Sequence, residues 1–314
     1  MRISHWPSAA FGAALVLLGA AGPAQAWGPE AHRAVALIAD RLLQQSDPAA
    51  YKKLHALLAT DKANGLTRND IASEATWADM LRQKSEEARL ATKGWHATRL
   101  KPDKPDLGEA CFGRKPLPEG YPASHGPAEN CSVDKVEQFQ KELADPETTS
   151  AERLAAVRYL LNLVADLHDP LLVIDRGGED PACIALQIGT KPPVRLASYW
   201  QSTLVNEAVG GNPAQGAAKL AAAAGELKAA AGGTPEAWAQ DTLAVAKSVT
   251  YAFETGQPAG KSDFTAPRGQ AATCTSGPVY KVDAEYGTKA EAATRQLLVK
   301  AGIRLAAVLA QGFK

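Results

Sequence analysis

The sequence predicts an all-α protein, a single domain of long helices joined by extended irregular loops. Three observations carry this expectation. The aromatic share is only 6% of 314 residues. Apolar residues recur at helical spacing through several long segments. Strand signals are few and short.

Taken in order, residues 1–26 read as a secretory leader. Arg2 forms a short basic region, residues 11–18 an apolar stretch, Gly22-Pro23 a breaker, and Ala24-Gln25-Ala26 a small-residue cleavage site. The apolar run is too short to span a bilayer, and no later stretch approaches the roughly 20 apolar residues of a membrane helix. A periplasmic or secreted protein without a membrane span is expected, with Trp27 as its first residue and 27–314 as one domain. Residues 30–46 place Val35, Ile38 and Leu42 on one stripe. Residues 70–88 start behind the capping signal Asn69-Asp70. Residues 151–168 carry Leu154, Val157, Leu160, Leu161 and Val164 at helical spacing, and 281–310 repeat the pattern with Leu297, Leu298, Leu305 and Leu309. Short strands are expected at 171–174 and 183–187. Pro and Gly mark loops at 101–127, 175–193 and 256–278, and the Ala/Gly-rich stretch 207–233 reads as two short helices. No internal repeat or dividing linker stands out, and a monomer is expected.

Charge and cysteines narrow the function. The chain has 34 basic and 34 acidic residues; loss of the leader removes one base, Arg2, and no acid, leaving 33 against 34. Such a balance does not suit binding built on phosphate neutralisation by a Lys/Arg face. An anionic ligand would have to be met by metal ions. The four cysteines, Cys111, Cys131, Cys183 and Cys274, form no Cys-x-x-Cys pair and in an exported chain favour two disulfides over zinc. Of the three pairings possible, Cys111 with Cys131, closing a Pro/Gly-rich loop, and Cys183 with Cys274 are favoured.

Zinc is bound by neutral imidazole, carboxylate and, less often, a terminal amine. Candidates for such a site are Trp27 at the processed end, His32, Asp79 in Thr76-Trp77-Ala78-Asp79, His96 in Gly94-Trp95-His96, and Asp166 and His168 in Asp166-Leu167-His168-Asp169-Pro170. Asp79 and Asp166 on otherwise apolar helix faces would be costly to bury unpaired, so each needs a metal or an Arg. His168 lies off the helical face of Asp166 and reads as a residue that supports the ligands from behind or is structural. His55 and His125 lack acidic company and read as surface residues, and Trp77, Trp95 and Trp200 as core.

In the order and rough spacing of its motifs the chain resembles the zinc-dependent, single-strand-specific nucleases of the S1/P1 type, in the phospholipase C/P1 nuclease superfamily. The match runs from Trp27-Gly28-Pro29-Glu30-Ala31-His32 through Trp77-Ala78-Asp79, Trp95-His96, Asn130-Cys131, Asp166-Leu167-His168-Asp169-Pro170-Leu171 and Asp175-Arg176-Gly177-Gly178 to Ala301-Gly302-Ile303-Arg304-Leu305-Ala306. The resemblance implies an all-α fold around a three-zinc cluster that hydrolyses phosphodiesters of single-stranded DNA and RNA, and often 3′-nucleotides. Carried over by position, it assigns Trp27, His32 and Asp166 to one zinc, and Asp79, His96 and the shared Asp166 to a second, where Asn162 replaces an expected His. The third site falls on Leu172, Ala197 and Gln201, which offer no charged or strong donor. Zinc is therefore expected as one or two ions. Asp79 and Asp166 are the expected catalytic carboxylates, Asp79 orienting the attacking water. Where the family can place a base-stacking aromatic after Trp-His, this chain has Ala97.

The sequence thus supports a zinc-dependent phosphodiester hydrolase with a degenerate centre and reduced or altered activity, acting on single-stranded nucleic acid or nucleotides. The competing reading is an inactive relative serving as an exported binding or interaction protein.

Overall fold

The computed structural model describes residues 27–61, 65–225, 227, 232–255, 257–263 and 274–314. The leader expected over 1–26 and its expected cleavage site lie outside them.

Helices dominate. In chain order they are α1 (Pro29–Ser46), α2 (Pro48–Leu58), α3 (Ile71–Glu74), α4 (Trp77–Lys84), α5 (Glu86–Ala91), α6 (Leu107–Ala110), α7 (Ser132–Ala144), α8 (Ser150–Asp166), α9 (Pro170–Val173), α10 (Leu196–Ser198), α11 (Leu204–Val209), α12 (Pro213–Ala222), α13 (Pro235–Val245) and α14 (Ala284–Gly312). None of the described helices is long and apolar enough to cross a membrane. Their starts follow capping chemistry. Asp47, Asp70, Asp106, Asn212, Thr234 and Asp283 each accept a backbone N–H of the first turn, and Thr149 with Glu152 forms a full capping box ahead of α8.

The single helix expected over 70–88 is three. The Thr76 hydroxyl donates back to Ser73 C=O, and the Ser85 side chain takes Ala88 N–H to start α5. Short hydroxyl side chains thus offer the backbone an alternative to continuing the helix. The strand expected at 171–174 is instead the one-turn α9, started by Pro170 and the Asp169 cap; only Ile174 pairs, in a bridge to Leu100. The strand expected at 183–187 is present as β1 (Ala185–Ile188). It belongs to a small sheet with β2 (Val194–Arg195), β3 (Gly260–Asp263) and β4 (Ser276–Val282), in the order β2-β1-β4-β3, parallel between β1 and β4 and antiparallel elsewhere. The loops expected at 175–193 and 256–278 therefore contain strands; in β3, Gly260, Lys261, Ser262 and Asp263 give no apolar alternation for a strand signal.

The core forms where α1 and α14 pack together and α8 runs beside them, buried along nearly its whole length. Contact between α1 and α14 is close because residue 302 lacks a side chain: a Cβ there would sit 2.3 Å from Ile38 Cγ2. Gly302→Val should therefore cost about 1–3 kcal/mol or more as overpacking, seen as a lower urea midpoint. An unchanged midpoint would mean that the two helices slide apart freely.

Through this apolar setting α8 carries a polar row at four-residue spacing, Arg158, Asn162 and Asp166. Arg158 is held by Glu74 at 2.7 Å and by Asp61. The row leads from this ion pair at the middle of the helix to the candidate site at its end.

Candidate metal centre

Five side chains from four parts of the fold meet at the C-terminal end of α8. Asn162 and Asp166 come from α8, His32 from the first turn of α1, Asp79 from the first turn of α4, and His96 from the loop after Gly94. His32 Nε2 stands between two carboxylates, 3.5 Å from Asp166 Oδ1 and 3.6 Å from Asp79 Oδ2. His96 Nδ1 lies 2.8 Å from Asp166 Oδ2. Asn162 Nδ2 donates to Asp79 Oδ2 at 3.0 Å and to Ala75 C=O at 3.1 Å. His32, His96, Asn162 and Asp166 are buried, whereas the Asp79 side chain keeps 18% of its surface open to solvent.

The loop bearing His96 is fixed from both sides. Gly94 N–H donates to Ala128 C=O at 2.9 Å, the Trp95 indole to Pro127 C=O at 2.8 Å, and Ser132 N–H to Ala97 C=O at 3.0 Å. Gly94 permits this approach, since a Cβ would lie 2.5 Å from Asn130 C=O. Trp95 itself is fully buried between Phe139, Tyr159 and the Lys135 ammonium.

The electrostatics fit a cation site. Burial, reinforced by the Asp79 charge, pushes the Asp166 carboxyl up to about 8, against the pull of His32 and Arg82. Burial, with Arg82 next, pushes His96 down to about 3, so its ring is neutral and keeps a lone pair. Four buried polar atoms of the group have no hydrogen-bond partner among the described residues: His32 Nε2, His96 Nε2, Asp166 Oδ1 and Asn162 Oδ1. Each can offer a lone pair. Orphaned atoms of this kind cost about 1–3 kcal/mol apiece, and neutral imidazoles with carboxylates are the donor set zinc takes. The residues present fit the metal. The tightest trio of potential ligands among the described residues, Cys111, Cys131 and Asp134, does not, because both sulfurs are in a disulfide.

Trp27 is tied by its backbone to Asp169, which lies near enough to Asp166 to feel its charge. The tryptophan is 1% exposed. Its N–H donates to the carboxylate of Asp169, while Gly28 N–H donates to Gln201 C=O at 3.2 Å. Asp169, three residues beyond Asp166, thus anchors the backbone at Trp27. It also takes Leu171 N–H at 2.9 Å and the Gln201 side-chain amide at 2.8 Å, and burial raises its carboxyl to about 7. The other two positions aligned with Gln201 are apolar and packed. Leu172 is buried, and Ala197 lies half-buried against the core.

Two residues of the neighbourhood were not singled out from sequence. Asp169 could have been found from Asp-Pro as a helix-start signal. Arg82, whose charge acts on both Asp166 and His96 and whose buried Nε has no hydrogen-bond partner among the described residues, lies one turn after Asp79 on α4, at i+3. His168 is structural, as expected. Its Nδ1 donates to Val164 C=O and its Nε2 accepts from Arg304, which in turn pairs with Asp241. The disulfides are Cys111–Cys131 and Cys183–Cys274, with Cα separations of 4.7 and 5.7 Å. A cleft of about 650 Å³ beside α7 contains none of the converging residues, and its walls, with Glu137, Glu142, Asp145 and Glu147, are unsuited to a polyanion.

Comparison with curated proteins returns no match. A family model described as S1/P1 Nuclease matches residues 27–314, from the buried tryptophan through the last helix, and so takes in every residue of the centre. The chain belongs to the S1/P1 nuclease family.

Proposed function

We propose that the protein is an exported, zinc-dependent phosphodiester hydrolase of single-stranded nucleic acid or nucleotides, working with one or two zinc ions in a centre that has lost its third site. The observation that carries this reading is the set of four orphaned, buried donor atoms around Asp166. His32 and Asp166, with the amine and carbonyl of a processed Trp27, would hold one ion. Asp79, His96 and Asp166, with the weaker oxygen of Asn162, would hold the other. When bound, zinc supplies Lewis acidity toward a phosphoryl oxygen and lowers the pKa of a coordinated water.

The chain's own residues have separable tasks. Asp79 is the partly open carboxylate of the group and is placed to orient a water by accepting its proton in a hydrogen bond. Asn162 fixes that carboxylate from behind at 3.0 Å. Arg82 supplies a positive charge beside the centre that can meet a phosphate, which the balanced surface charge does not. Leu172 and Ala197 provide no lone pair, and the Gln201 amide is engaged with Asp169. The leaving oxygen is therefore without a third cation, which favours slow turnover or good leaving groups.

The packed third-site positions favour one alternative, an inactive relative that binds a partner through the same fold. Zinc counting on the exported protein, with a chromogenic bis-phosphodiester and a single-stranded DNA assay, separates the two. The proposal expects at least one bound ion and turnover that Asp79→Asn lowers by about 10²-fold or more, the scale of a lost proton-transfer group. A zinc-free protein with no turnover supports the alternative.

A further inference from the structure

Asp169 is fully buried and close enough to Asp166 to feel its charge, and it is not one of the five converging side chains. Its oxygens are directed at the start of the domain. Trp27 N–H and Leu171 N–H donate to it, and the Gln201 side chain donates at 2.8 Å. The same Gln201 accepts Gly28 N–H at 3.2 Å through its backbone carbonyl. A Cβ on residue 28 would lie 3.3 Å from that carbonyl, so the contact is also close in space. The bonds close a ring: Trp27 to Asp169, Asp169 to Gln201, Gln201 to Gly28. It is built on one of the positions that the aligned third site would have used.

We propose that Asp169 and Gln201 are positioning residues that clamp the Trp27-Gly28 backbone and so aim the N-terminal nitrogen at the metal centre. This rests on the zinc reading given above for what the nitrogen does, though not for the clamp itself. An amine carries N–H donors and one lone pair. Fixing an N–H on a buried carboxylate restricts where the lone pair can point, as a carboxylate does for a zinc-bound imidazole. The remnant of the third site has thus become a protein-only support for the first. The zinc ligands themselves are untouched by this role.

The test uses protein exported with its leader and purified after processing, as wild type, Asp169→Asn and Gln201→Ala. Asn keeps the cap on α9 while removing one of the two accepting oxygens. Zinc affinity is read by chelator competition, and anchoring by hydrogen exchange at the Gly28 amide and by aminopeptidase removal of Trp27. In Asp169→Asn we expect zinc affinity to fall about 10–100-fold, the usual effect of losing a residue that orients a ligand. Gly28 exchange and Trp27 removal should accelerate together with it, and Gln201→Ala should do the same to a smaller extent. Wild-type affinity and wild-type exchange in both variants would overturn the clamp. Should Asp169→Asn fail to fold, Gln201→Ala decides by the same readouts. A wild type that binds no zinc but protects Gly28 in an Asp169-dependent way would sink the metal reading and leave the clamp standing.

Discussion

Replacing Asp166 by Asn is expected to empty the centre, because that one carboxylate faces both His32 and His96. Zinc affinity should fall by more than about 100-fold, beyond what losing a mere ligand-orienting partner costs, and hydrolysis should fall with it. Stability should move the other way once zinc is chelated. The Asp166 carboxyl rises from 3.8 to about 8 on folding, so the folded chain holds that proton more tightly than the unfolded one. Apo wild type therefore gains stability as pH falls from above 8 toward 3.8. The charged, buried form is a burden at alkaline pH, and Asn removes it. His96 and His168, lowered from 6.5 to about 3, act in the opposite sense: their contribution is intact above 6.5 and is lost as pH falls toward 3. Asp169, raised from 3.8 to about 7, adds to the Asp166 trend, so two carboxyls oppose two imidazoles and wild type with chelator should be most stable between about 4 and 6.5, where these trends offset. Asp166→Asn should exceed wild type at pH 9 by at least about 1–2 kcal/mol, given 1.36 kcal/mol per pKa unit. Thermal melts at pH 6 and 9, with zinc and with chelator, check this. A variant less stable than apo wild type at pH 9 would show that the carboxylate is not burdened by its surroundings.

A chain that keeps Ala26 ahead of Trp27 should bind zinc at least about 10–100-fold more weakly than the processed chain, a lower bound taken from damage to ligand-orienting partners. The reason is elementary. A peptide nitrogen has its lone pair delocalised into the carbonyl and cannot serve as a ligand, whereas a terminal amine can. The bond from residue 27 to Asp169 survives in both forms, since each retains an N–H. Only the metal should distinguish them. Isothermal titration of processed and extended protein with zinc measures the difference, and equal affinities would remove Trp27 from the ligand set.

Much of this fold is legible in the sequence. The stripes in α1 and α14 and the apolar run of α8 give their helices directly, because a buried face imposes its period on the sequence. The convergence of His32, Asp79, His96 and Asp166 was legible only through motif order. Their separations along the chain, up to 134 residues between His32 and Asp166, say nothing about distance in space. Interruptions at Thr76 and Ser85 were missed because Ser or Thr ends a helix only where its hydroxyl takes up a backbone group, as at Ser73 C=O and Ala88 N–H here, and the pattern of residue types does not show which will do so. Of the sheet only β1 was expected, and the reason for missing β3 is different. Strand β3, Gly-Lys-Ser-Asp, has no buried face and exists because β4 offers it a partner. Asp169 escaped notice since its role depends on where Gln201, 32 residues later, is placed.

On the proposal that the protein is exported and loaded with zinc, the bridge between Cys111 and Cys131 sets an order of assembly. Cys131 opens the stretch that meets the His96 loop at Ala97, and Pro127 and Ala128 grip that loop from within the same cross-linked segment. Chain synthesised in a reducing compartment would lack the covalent tie under one imidazole of the pair. Oxidation should accordingly precede loading, and a premature encounter with the ion before export would find one half of its cradle unfinished.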